Sequence, residues 1–266
     1  METAASPWEK FPFVQRLRLF SDVSPADCRT IVSTAREKRF TRRETIFFEG
    51  DPARQIVLLL SGCVKTTQLG FAGAEVILRL SGVGDIVSGF CQPGANCSHC
   101  STAQAIRPST ALVWQAATFD KLPGRFPAFQ RNIVHALEEQ LEELEQRFRE
   151  VSTDKVGSRL SSELIRLSNR LGRASGNAEI GLSRSELAQL IGTTEFTVSR
   201  LLTRWQTLGI VSSRREAVQV HDFAALAQIS ESEWRKSGFP AGPCTELAHD
   251  HAAKQAGGPP FQASIS

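Results

Sequence analysis

The chain has 266 residues, 41% of them hydrophobic and 22% charged, with 31 Lys and Arg against 28 Asp and Glu and a formal net charge of +3. That length holds two domains, each with its own core, and so small a net charge neither demands nor excludes a polyanionic partner. No apolar run reaches the ~18 residues that a membrane helix needs. The N-terminus METAASPWEK carries acids and lacks the apolar centre of a signal peptide, so a cytoplasmic protein with no membrane partner is expected.

Residues 1–10 read as a loose tail. Phe13, Val14, Leu17 and Phe20 have helical spacing, which predicts a helix over residues 11–20. Ser24 as N-cap, Pro25 at the first helical position and Asp27 open a second helix, running to about Lys38. From Thr41 the period becomes strand-like. Strands are expected at residues 45–48, 56–60, 63–68, 75–80, 103–107 and 111–115, parted by Gly50-Asp51-Pro52, Ser61-Gly62, residues 70–73 and Gly82-Val83-Gly84-Asp85. Short strands with Gly-rich turns predict a β-roll or small barrel over residues 11–127.

Residues 119–129, with Pro123, Gly124 and Pro127, read as a transition into a long helix over residues 129–151. Along it Ile133, Leu137, Leu141, Leu144, Phe148 and Val151 step by 4, 4, 3, 4 and 3, a heptad seam with Glu and Arg beside it. Such a seam packs either on the chain's own β-roll or on a second copy, and its regularity favours a parallel homodimer through residues 128–152. Leu160, Leu164, Ile165 and Leu167 predict another helix over residues 156–171, ended by Gly172. A last helix is expected at 223–234, and the Gly, Pro, Ala and His of residues 237–266 predict a disordered tail.

Residues 183–220 carry the strongest signal. Ser183 and Glu186 stand at capping-box spacing, and Leu187, Leu190 and Ile191 share one helical face. Gly192 then allows a sharp turn, and Thr193 or Thr194 caps the next helix. In that helix Val198, Leu201, Leu202, Trp205 and Leu208 form a buried stripe, leaving Glu195, Phe196, Ser199, Arg200 and Thr203 opposite. A helix held from behind and showing small polar and Arg side chains suits a major groove. After Gly209, residues 210–211 and 217–220 read as two short strands around a basic tip, which makes a winged helix-turn-helix. Between residues 153 and 221 there are ten Lys and Arg against six Asp and Glu, an excess compatible with phosphate contact.

RSELAQLIG, TVSRLL and LGIV in this stretch resemble the C-terminal domain of the Crp/Fnr family of bacterial transcription regulators. FFEGDPARQIVLLLSGCVK, followed by the GxGD turn, resembles the family's sensory β-roll, so the resemblance spans roughly residues 13–226. It implies an α+β chain: a cyclic-nucleotide-binding-like β-roll, a long dimerisation helix, and a winged helix-turn-helix over residues 153–236. It further implies a homodimeric regulator, not an enzyme, with a two-fold related double-stranded operator and RNA polymerase as partners. Arg184 would meet a phosphate, Arg200 a guanine edge, and Ser199 a base or a phosphate, with Thr194, Glu195 and Thr197 on the same side and Arg214 at the wing. The family's helix has an acidic residue four before that Arg. Here the position is Phe196, open either to a thymine methyl or to inward packing, and Glu195 lies about 100° round the helix.

The sensory stretch SGFCQPGANCSHCSTAQA offers a cyclic phosphate no cation, which argues against cAMP and toward the Fnr branch, whose members sense oxygen or nitric oxide. Six cysteines in a chain of this kind do not read as a disulfide framework. Cys91, Cys97 and Cys100 form C-x5-C-x2-C, which leaves a fourth position for Cys63, the first choice, or for Cys28, His99 or an outside ligand. Four cysteinates suit an iron–sulfur cluster or zinc, while the resemblance to the family's carbon-monoxide sensors leaves haem open and the thiols alone leave a redox switch. Cys97-Ser98-His99-Cys100 also resembles a thiol oxidoreductase motif, but its Gly-rich, strand-like neighbourhood is not the helix N-terminus such chemistry uses.

Overall fold

The structure, a computed structural model, describes residues 11–70, 73–87, 97–175 and 179–235, without the side chains of 171–175 and 231–235. Cys91 and the tail over 237–266 therefore lie outside the described residues. The N-terminal part begins with α1 (Phe11–Val14), a 3-10 turn at Arg18–Phe20 and α2 (Pro25–Ser33). The first expected helix is thus two short pieces. The second stops short of Lys38, because β1 (Arg36–Phe40) is a strand. Its REKRF sequence hides the strand: only Phe40 is buried, and pairing with a later strand supplies the order that side-chain alternation does not.

The remaining strands are β2 (Thr45–Phe47), β3 (Gln55–Ser61), β4 (Val64–Leu69), β5 (Glu75–Ser81), β6 (Thr102–Ala105) and β7 (Ser109–Gln115). They form two antiparallel sheets, ordered β1-β7-β3 and β2-β6-β4-β5. The nearly unbroken apolar run of β3 follows from burial on both faces. Val57 and Leu59 point between the sheets with Phe40, Val64, Ala103 and Val113. Ile56, Leu58 and Leu60 point the other way, onto α2, Trp114 and the start of the long helix at Phe129 and Ile133. The Trp114 indole is buried there and donates to the Ile31 carbonyl at 3.1 Å.

Two short helices, α3 (Ala116–Phe119) and α4 (Leu122–Arg125), occupy the transition before α5 (Pro127–Thr153). Next, α6 (Val156–Ser175) continues through Gly172 instead of ending there. It doubles back toward α5, and three pairs of ionised side chains join the two helices: Glu150–Arg166, Arg147–Glu163 and Glu143–Arg170. The winged unit comprises β8 (Glu179–Ile180), α7 (Arg184–Ile191), α8 (Glu195–Thr207), β9 (Val211–Arg214) and β10 (Ala217–Val220), then α9 (Phe223–Arg235). The two-residue β8 is too short to read in the sequence, yet it completes the sheet β8-β10-β9. The core of this unit is continuous with the β-roll, since Cys63, Ile77, Leu80 and Ile106 belong to the same cluster as Leu187, Val198 and Trp205.

Candidate nucleic-acid interface and sensory loop

The helix pair is fixed by its ends. The Ser183 hydroxyl accepts from the Glu186 amide at 3.2 Å, and the Glu186 carboxylate accepts from the Ser183 amide at 2.9 Å, closing the capping box. Gly192 ends α7 with φ +65°, a conformation that favours glycine. Thr194 caps α8, its hydroxyl accepting from the Thr197 amide at 3.3 Å. Val198, Leu202 and Trp205 anchor α8 in the core. Glu195, Arg200 and Thr203 face solvent, and Phe196 is 76% exposed, so it is not packing turned inward. Among the described residues, this large aromatic stays on the open side of the helix.

Arg184 has a role that spacing did not reveal. Its guanidinium donates to the Ser199 hydroxyl of α8 at 3.0 Å and to the Ser213 hydroxyl of β9 at 3.4 Å. One side chain thereby spans the first helix of the pair, the second helix and the wing. Ser213 was not foreseen, because nothing local marks a wing serine as a partner for a residue 29 positions away. Arg214 is exposed on the wing, as is Arg215 beside it. Glu216 completes the tip and accepts from Arg42 at 2.7 Å and Arg43 at 3.4 Å, both on the β1–β2 turn. These contacts hold the Glu216 carboxyl below its ordinary range, through the Arg42 hydrogen bond first.

The sensory loop is described from Cys97 onward. It is laced to the β2–β3 turn: the Ala53 amide donates to the Cys97 carbonyl at 2.9 Å, the His99 amide to Asp51 at 2.8 Å, and the Gly50 amide to His99 at 2.8 Å. The His99 ring is 8% exposed and stacks on Phe47 with 3.7 Å between centroids. Burial pushes its pKa down, opposed by the charge of Asp51. Cys97 is half-buried and Cys100 exposed.

Cys63 does not join them. It lies fully buried among Ile77, Leu80 and Leu164, and burial raises its thiol to about 12, which disfavours the thiolate that a metal requires. Cys28 is likewise sealed in the N-terminal core, with its thiol raised to about 11 by burial. Among the described residues no three Cys, His, Asp or Glu side chains are grouped to hold a metal ion. The donor set Cys91, Cys97, Cys100 and Cys63 therefore does not fit a four-cysteinate iron–sulfur or zinc centre, with Cys63 buried where it is.

Of the seam residues, Leu137, Leu141, Leu144, Phe148 and Val151 stand exposed along α5. Ile133 is the correction: it is 8% exposed and packs in the chain's own N-terminal core. Among the described residues no helix is long and apolar enough to cross a membrane.

Comparison with known proteins agrees with this architecture. Residues 37–125 match a cyclic nucleotide-binding domain and residues 158–229 a Crp-like helix-turn-helix domain. The chain is 27% identical over 198 residues to the anaerobic regulatory protein of Pasteurella multocida, covering 73% of this chain and 72% of that protein. It is 26% identical over 198 residues to the fumarate and nitrate reduction regulatory protein of Escherichia coli K12, covering 73% and 78%. Among solved structures it resembles FixK2 of Bradyrhizobium japonicum, with a TM-score of 0.64 at 23% identity over 73% of this chain and 96% of that one.

Proposed function

This chain belongs to the Crp/Fnr family of DNA-binding transcription regulators, closer to the Fnr branch than to the cAMP branch, and on that premise we propose a cytoplasmic homodimer that reads a redox signal at the Cys97–Cys100 loop and re-aims its recognition helices. The observation that carries the DNA reading is α8, where the exposed Phe196 and Arg200 stand opposite the buried Val198, Leu202 and Trp205. Arg200 reads a guanine edge, Phe196 meets a thymine methyl, and Glu195, Thr194 and Thr197 border them. Arg184 and Arg214 meet phosphates, and through Ser199 and Ser213 Arg184 also sets the angle between helix and wing. Two such helices in a dimer face a two-fold related operator, and the bound complex recruits or blocks RNA polymerase.

For the signal, the loop's thiols are a better reading than a resident metal. No step is assigned to an iron–sulfur or zinc centre, because among the described residues no three Cys, His, Asp or Glu side chains are grouped to hold one, and none is assigned to haem. The stretch SGFCQPGANCSHCSTAQA carries no Lys or Arg for a cyclic phosphate, and the relatives' names speak of anaerobic regulation and of fumarate and nitrate reduction. Cys97 and Cys100, at C-x2-C spacing, lose two S–H bonds and form one S–S bond. The two electrons and two protons pass to a peroxide, which is reduced to water. Because the loop is bonded to residues 50–53, a change at the sulfurs is felt by the β-roll.

The test is to purify the protein without oxygen, record its absorbance, and measure promoter binding before and after one equivalent of peroxide. A colourless protein with two thiols fewer after oxidation and an altered mobility shift supports the reading. A brown or red protein overturns the thiol assignment in favour of a metal. Binding that Cys97→Ser and Cys100→Ser leave equally peroxide-sensitive removes the loop from the mechanism.

A further inference from the structure

We propose that Lys65 of β4 is a positioning residue for DNA recognition: its ammonium clamps the start of α7 to the β-roll and so sets where α8 points. The inference rests on the DNA-binding reading and is independent of the signal.

Side chains alternate along a strand. Val64 points between the two sheets of the roll, while Cys63 and Lys65 take the other face of β4, where the winged unit packs. Ile77 and Leu80 of β5 meet Leu187 of α7 in the same apolar cluster. A lysine at the margin of such a contact ordinarily carries its charge out to water. Lys65 does not, and is 8% exposed.

A cation kept from water needs carboxylates around it. Two are present: Glu75 of β5, its Oε2 at 3.9 Å from the Lys65 Nζ, and Glu186 of α7, its Oε1 at 3.8 Å. One partner belongs to the β-roll and the other to the helix-turn-helix, so the ammonium bridges the two units. Glu186 uses both of its oxygens. Oε2 accepts from the Ser183 amide and closes the capping box, while Oε1 faces Lys65. The clamp therefore grips the end of α7 that the cap has already fixed.

Other ties cross between the units. Arg107, before β7, donates to the Glu179 carbonyl of β8 at 3.0 Å, and Arg42 pairs with Glu216. The Arg42 and Glu216 side chains are 50% and 47% exposed, against 10% and 26% for Lys65 and Glu186. An exposed ion pair contributes little, whereas a shielded one loses much when either partner goes. Of these two ion pairs, Lys65 with Glu186 is the one that holds α7 in place. From α7 the placement passes to α8 through the turn at Gly192 and the hydrogen bond from Arg184 to Ser199. Phe196 and Arg200 stay exposed in this arrangement, so the docked position is one that can meet DNA.

The test measures operator affinity across a salt series for the full-length protein and for Lys65→Met, Glu186→Gln, the two combined, and Lys65→Arg. Glutamine at position 186 keeps the capping box and removes the charge. Each single variant is expected to weaken operator binding about tenfold, and the double variant no further, as for two residues that act through one contact. Lys65→Arg keeps the cation and should bind more tightly than Lys65→Met. The dependence of log K on log salt should stay that of the wild type, because Lys65 meets no phosphate. A slope shallower by about 0.9 in Lys65→Met would make it a DNA contact and overturn the proposal. So would single variants that bind like the wild type, or losses that multiply in the double variant. Amide hydrogen exchange along α7, followed without DNA, should quicken in both single variants, and unchanged exchange also overturns the clamp. A wild type that binds no operator defeats the DNA-binding reading itself, and the role of Lys65 in recognition with it; faster exchange would then leave only a contact between the units.

Discussion

Arg166 closes on Glu150 with two hydrogen bonds, 2.7 and 2.8 Å long, and so fastens α6 to the end of α5. The pair is one of three between the helices, Glu143, Arg147 and Glu150 on α5 meeting Arg170, Glu163 and Arg166 on α6, and Glu163 is bound by Arg166 as well as by Arg147. Glu150 and Glu163 are only 4% and 2% exposed. Removing a cation from such a pair strands a buried carboxylate, at a cost of ~3–5 kcal/mol. Arg166→Met should lower stability by about that amount in urea denaturation, while Arg18→Met, which breaks the exposed pair with Glu139, should change it little.

The same ion pairs make stability depend on acid. Burial alone would raise the carboxyls of Glu143 and Glu150, but hydrogen bonds and charge from Arg170 and Arg166 outweigh it, and both end below the ordinary glutamate range. The unfolded chain, with Glu near ~4.3, then binds more protons in acid than the folded one. The stabilisation is therefore complete at neutral pH and drains away as pH falls below about 4.5 through the lowered folded values. Urea midpoints should be flat from pH 7 to 5 and fall below that, with a shallower fall in Arg166→Met.

These ion pairs explain what the sequence could and could not convey. The capping box of Ser183 and Glu186, the turn at Gly192 and the stripe of Val198, Leu202 and Trp205 are local patterns, and each was legible. So were six strands of the β-roll, where apolar runs end in Gly-rich turns. The β1 strand was not, because its charged residues are ordered by β7, more than seventy positions away. The ion pairs escaped notice for a similar reason: Glu and Arg beside a heptad seam look like a solvated face until α6 folds back over them. Cys63 misled because nearness in a list of cysteines says nothing about which side of a strand a thiol takes.

Recognition should divide cleanly between the two exposed residues of α8. Arg200→Ala should cost ~1–3 kcal/mol on the best operator and relax preference at one guanine, with little change on random duplex. Phe196→Ala should weaken binding chiefly to operators with thymine at the facing position, and substituting uracil there in the wild-type complex should have the same effect, because uracil lacks the methyl group. Binding titrations on a panel of single-substituted duplexes read both. An Arg200→Ala protein with unaltered preference would remove α8 from base contact.

The exposed seam on α5 leads to the last expectation. Phe148 is 74% exposed, and Leu141, Leu144 and Val151 flank it on the same stripe, more apolar surface than a helix in water ordinarily shows. A second copy laid parallel would cover the stripe by knobs-into-holes packing and leave the ion pairs between α5 and α6 intact. Phe148→Glu would put a carboxylate into that seam, facing its own copy, where burial and like charge both oppose association. Sedimentation of the wild type should give twice the 29.2 kDa of one chain, and the variant should fall to the single-chain mass. Its melting curve should keep its shape, because no intrachain contact of the core is lost. Ile133→Glu should behave differently: Ile133 packs against the chain's own first helices, so that variant should unfold before it tests association.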